Sequence, residues 1–104
     1  MTTADPPVSS RNDPRPHFEL RVDVAADLRF IGMVRDLAAH GARYAGCHDA
    51  DAADFAARVE NCAREQFAWC GEDAIVVVTV RQTQAALEVV IGTPRGARTL
   101  SLVI

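Results

Sequence analysis

The stretch DAIVVVTVRQTQAALEVVIG, Asp73 to Gly92, decides the fold. Ile75 to Val80 is rich in β-branched side chains, which suit a pleated, half-buried surface better than a helix. Leu87 to Ile91 is a second run of the same kind, and the polar break from Gln82 to Ala85 reads as a turn between them. Two such runs joined by a short break predict an antiparallel hairpin. Downstream, TPRG (Thr93 to Gly96) is a Pro/Gly turn, and ARTLSLVI alternates apolar and polar residues to the last position. Upstream, CHDADAADFAARVENCAREQFAWCG changes period. Ala52, Phe55, Ala56, Val59, Cys62, Ala63 and Phe67 recur at three, four and seven residues, the spacing of a helix with one core face. Asp49 or Asp51 is the expected cap of that helix, and Gly71 its end.

Further upstream, HFELRVDV places Phe18, Leu20, Val22 and Val24 on one face and Glu19, Arg21 and Asp23 on the other, as in a half-buried strand. AADLRFIGMVRDLAAHGARYAG follows as a helix, with Asp27 as its N-cap and Gly41 and Gly46 marking its end. Leu28, Ile31, Val34 and Ala38 form one apolar stripe, and Phe30, Met33 and Leu37 form a second. One stripe suffices to dock a helix on a sheet. A second one, here Phe30, Met33 and Leu37, is either extra core or a dimer or partner surface, and the residues alone leave both open. The order βααβββ, with helices grouped before an antiparallel run, predicts an α+β two-layer sandwich with a mostly antiparallel sheet and helices on one face. Residues 1–15 are rich in Pro, Ser, Asp and Arg and are expected to be a disordered arm, leaving a single domain over 16–104.

The chain has 104 residues, 49% of them apolar and 24% charged, enough for one modest core. Its net charge of -3 gives no electrostatic reason to expect nucleic acid, and arginine supplies all the positive charge. No apolar run reaches the roughly 18 residues of a membrane helix. The N-terminal residues lack the apolar stretch of a secretory signal, so a cytoplasmic protein is expected. The three cysteines fit that compartment, since their number and spacing make a poor disulfide framework.

Few residues stand out chemically. Cys47, His48, Cys62 and Cys70 lack the spacing of a zinc site, and Cys62 falls on the expected core face, so no metal is expected. Nothing in the sequence places a cysteine beside a histidine as a nucleophile pair. His17 and His40 sit at element ends, where solvent contact is the plain reading. Trp69 suits either a core or the rim of a binding surface. In RVENCAREQFAWC (Arg58 to Cys70), Glu60 and Arg64 are four residues apart on one helix face. The plain reading is an ion pair worth about 0.3–0.5 kcal/mol; the other is a role at a partner surface.

These stretches together resemble the ATPase domain of the GHKL superfamily, the Bergerat or histidine kinase-like fold, and most of all the small bacterial anti-sigma-factor serine kinases. FELRVDVAADLRFIGMVRDLAAHGARYAG resembles the family's opening strand and first helix. DADAADFAARVENCAREQF resembles the second helix, which carries the N-box. DAIVVVTVRQTQAALEVVIG looks like the following hairpin, and GARTLSLVI is similar to the closing strand. The resemblance implies three parts of a nucleotide site. The first is a Glu and an Asn four residues apart, the Glu as general base and the Asn on Mg²⁺. Glu60 matches the first, but Arg64 stands at the second and offers only donors. The alternative register makes Asn61 the Asn but leaves Ala57 where the Glu belongs. The second part is a D-x-G-x-G that reads adenine. Here the stretch is GTPRG, with Gly92 at the Asp position, Pro94 at the first Gly and only Gly96 in agreement. The third is a Gly-rich phosphate lid, and Gly96 runs straight into the last strand instead.

Three losses together imply a degenerate, lidless relative without nucleotide, metal or other cofactor. It is expected to act as a non-enzymatic regulatory module on a sigma factor or a STAS-type anti-anti-sigma regulator, as a homodimer, with no part for nucleic acid or membrane. The alternatives are an ATP-dependent anti-sigma serine kinase with an atypical site, and an adaptor domain on the same fold with an unrelated partner.

Overall fold

The computed structural model describes residues 18–103. The expected arm over residues 1–15 lies outside them, as do His17 and Ile104. The elements are β1 (Phe18–Ala25), a 3-10 turn (Leu28–Phe30), α1 (Ile31–Tyr44), α2 (Asp49–Ala68), β2 (Ile75–Gln82), β3 (Ala86–Thr93) and β4 (Gly96–Val103). The four strands form one sheet in the order β1-β2-β3-β4, antiparallel throughout. Both helices lie on one face, α1 against β2 and β3, α2 against β3 and β4. The expected α+β two-layer architecture is therefore present, with a 3-10 turn inserted before the first helix.

The register explains the core. Val24 faces Val76, Val22 faces Val78, Val80 faces Val89, and Val78 faces Ile91, so the β-branched side chains line up across the strands on the helix side. Val76, Val78, Val80, Leu87, Val89 and Ile91 are buried under the helices. The opposite face carries a charged row, Glu19 opposite Arg81 opposite Glu88, with Arg81 Nε donating to Glu88 Oε1 at 2.8 Å. From α2, the seven positions expected on the core face are all buried. From α1, Ile31, Val34 and Ala38 are buried as expected.

Leu28 departs from its expected place in that stripe. It sits in the 3-10 turn, 62% exposed, because the chain enters the helix three residues late and the helical phase begins only at Ile31. Asp27 caps this turn, its Oδ1 accepting from the Arg29 backbone N–H at 2.9 Å. That bond and the Arg29 guanidinium hold its carboxyl below the usual carboxylate range.

Gly41 is likewise not a helix end. It lies inside α1, buried against the sheet, where an added Cβ would stand 2.9 Å from Val80 Cγ1. Gly46, at φ +94°, does end the helix as expected. Its N–H donates to Arg43 O and that of Cys47 to Ala42 O, the paired bonds of a Schellman motif. The cap of α2 differs too. His48 holds the N-cap position with no side-chain bond, while Asp49 and Asp51 fall inside the first turn, where their charge suits the helix dipole.

Candidate functional site

Glu60 lies on the side of α2 that turns towards α1. Its carboxylate takes Arg64 Nη2 at 2.8 Å and Arg35 Nε of α1 at 3.6 Å. The expected pair is thus part of a three-residue network tying the two helices together. Its side chains are 26% (Glu60), 54% (Arg64) and 56% (Arg35) exposed, so its energy is that of a surface network, not a buried one.

The other N-box-like and adenine-loop positions do not converge on Glu60. Gly92 alternates with the buried Ile91 and so points to the sheet face away from the helices, opposite Val77 and Ala97. A Cβ there would meet Val77 O at 3.7 Å and Val77 Cβ at 4.0 Å, both ordinary contacts, so nothing in the packing demands glycine. Pro94 and Arg95 form the tip of a tight hairpin in which Thr93 pairs with Gly96. Thr93 Oγ1 accepts from the Arg95 N–H at 3.1 Å and donates to Gly96 O at 3.0 Å. Gly96, at φ +140°, is the one member of the stretch whose backbone calls for glycine. GTPRG therefore builds a reverse turn with its own side-chain closure.

The second stripe divides. Phe30 and Leu37 are half-buried and pack against the core, whereas Met33 is 38% exposed. Leu37 also lines an apolar cleft of about 630 Å³ with Phe18, Leu20, Gly41 and Tyr44. The rings of Phe18 and Tyr44 meet edge to face across it, 5.2 Å apart. His40 lies on its margin and is exposed.

A feature that sequence reading missed lies on the other side of α2. Between that helix and the edge strand β4 run two adjoining hollows of about 550 and 260 Å³, which share Glu65 and Arg98. Trp69 and Arg95 stand at one end, the Arg95 guanidinium 5.9 Å from the indole ring. Arg58 and Asn61 stand at the other, Arg58 Nη2 reaching Ser101 O at 3.5 Å. Trp69 is 64% exposed, so it belongs to a rim and not to the core. The polar residues of α2 that look into this cleft are thus Arg58, Asn61, Glu65 and Gln66, not Glu60 and Arg64. The only signal for this in the sequence was the indole beside an arginine-bearing helix.

All three cysteines are free. Cys62 is buried and lines the smaller hollow, and burial pushes its thiol above the ordinary value; the same cause raises Cys47, with Asp51 adding to it. Among the described residues no three His, Cys, Asp or Glu side chains cluster as metal ligands. Nor is any helix among them long and apolar enough to cross a membrane. No protein family, curated protein or solved structure matches the chain.

Proposed function

We propose that this domain is a non-catalytic regulatory module of the anti-sigma type, which works in the cytoplasm by occupying a sigma factor or a STAS-type regulator. The observation that carries the reading is the state of Glu60. A general base must keep its lone pairs for the proton it removes. Glu60 instead accepts from Arg64 and faces Arg35, so both of its oxygens are turned to guanidinium groups and not to an open site. The stretch that would read adenine is a closed hairpin whose Arg95 turns to Trp69 and not to Glu60, which supports the same conclusion. Partner binding is supported by the large apolar side chains left at the surface, Leu20, Leu28, Met33, Tyr44 and Trp69. The choice of a sigma factor or STAS protein rests on the resemblance of the helix and strand sequences to the anti-sigma kinases. A homodimer formed through the first helix, with Met33 at its centre, belongs to the same reading.

The test is capture of bound protein on the full chain from cells that make it, followed by identification. The expected result is a stoichiometric sigma factor or STAS protein. A partner of unrelated kind, bound in the same stoichiometry, would make this an adaptor domain and set the anti-sigma reading aside.

A further inference from the structure

We infer that the groove between α2 and β4 takes an extended acidic peptide segment, added as a fifth strand to the free edge of β4. This names the chemistry of one contact and rests on the protein-binding reading above.

The first observation concerns charge. Arg21, Arg29, Arg35, Arg43, Arg64 and Arg81 each hold a carboxylate within 4.0 Å. Arg58, Arg95 and Arg98 have none among the described residues, and all three line this one groove. The chain as a whole carries a net charge of -3, so three unpaired guanidinium groups gathered in one place run against its general balance. Among the described residues that line the groove, Glu65 is the single carboxylate. It lines the groove with Arg58 and Arg98 without closing on either, and the guest needs an uncharged residue opposite it.

The second observation concerns shape. Among the described residues β4 pairs only with β3, so its outer backbone groups form an open edge, with Ser101 O reached by Arg58 alone. The two hollows follow that edge from the Trp69–Arg95 end to Arg58 and Leu100. An extended chain laid there makes main-chain bonds to β4, and its alternate side chains fall on the helix side. Arg98 projects to that side, being opposite Ile91 in the register. Acidic side chains at every second position then meet Arg98 and Arg58, and the indole of Trp69 supplies a flat apolar contact at the end of the groove. On the outer side the guest lies beside Thr99 and Ser101, which are small and polar and set no strong requirement.

Trp69 is the one tryptophan of the chain, so its fluorescence reports on this groove directly. The probe is an end-capped nonapeptide of alternating Glu and Thr, titrated into the full chain at low salt. A saturable change is expected, weakening as salt is raised. Replacing Glu by Gln in the peptide should weaken binding at least about tenfold, the factor that corresponds to roughly 1.4 kcal/mol. Arg98→Glu should do the same, and Arg95→Glu serves as a second variant should the first disturb the fold. Amide shifts on binding should concentrate in Gly96–Val103. No saturable change up to about millimolar peptide, or equal binding of the Gln peptide, would overturn the inference while leaving the protein-binding reading intact. So would a response to inorganic polyphosphate or to a single-stranded oligonucleotide but not to the peptide. A response to Mg·ATP alone would overturn the inference and the non-nucleotide reading together.

Discussion

Val34→Asp is expected to abolish the folded domain at room temperature. Val34 is fully buried on α1, at the heart of the cluster shared with α2 and the sheet. A carboxylate placed there has no room for water and no hydrogen-bond donor designed for it. Leaving a charge unpaired in such a site costs several kcal/mol even after the group shifts towards its neutral form. A domain of this size has a total stability on the order of 5–15 kcal/mol, so the loss takes most or all of it. Far-ultraviolet circular dichroism should show loss of the helical signal, and the cooperative thermal transition should disappear. A variant that melts within a few degrees of the parent would mean that α1 is not docked by this face.

The neighbouring change, Met33→Asp, is expected to leave the fold intact and abolish self-association. Met33 is one residue away but 38% exposed, so its carboxylate can stay in water. Phe30 and Leu37 already pack partly on the core, which leaves Met33 as the accessible centre of the second stripe. Burying a side chain of this kind is worth about 1.5–3 kcal/mol, and a charge on each side of a two-fold contact adds repulsion to that loss. Sedimentation should show a dimer for the parent and a monomer for the variant, with unchanged circular dichroism. A parent that is monomeric at high micromolar concentration would refute the dimer, and unfolding of the variant would place Met33 in the core.

The contrast between these two positions shows what periodicity can and cannot carry. The β-branched runs of β2 and β3 and the seven core positions of α2 were legible because a face buried against one neighbour leaves a regular imprint. The fold class followed from their order. Leu28 was misplaced because the period says nothing about where a helix begins, and a 3-10 turn shifts the phase. Gly41 reads as a stop signal in any sequence. Only the packing of α1 on Val80 shows that it leaves room for the Val80 side chain under the helix. The caps of α2 were misjudged for a related reason, since Asp is favoured both at the N-cap and in the first turn, and the sequence does not separate the two.

At the candidate site the local contact was readable and the long-range ones were not. Glu60 and Arg64 are four residues apart, so their bond follows from helix geometry alone. Arg35 joins them only because α1 packs alongside α2. The unpaired arginines of the α2–β4 groove come from the middle of a helix, a hairpin tip and an edge strand. No spacing rule connects them, and what sets them apart is the lack of a carboxylate nearby, a property of the folded surface. Trp69 was open between core and rim, and its exposure decides for the rim.

The central proposal is that this domain binds a protein partner and no nucleotide. Calorimetric titration of the full chain with Mg·ATP tests it most directly. With Arg64 beside Glu60, Gly92 on the far sheet face and a closed turn at Thr93–Gly96, the account predicts no saturable heat of binding. A dissociation constant in the low micromolar range would contradict it.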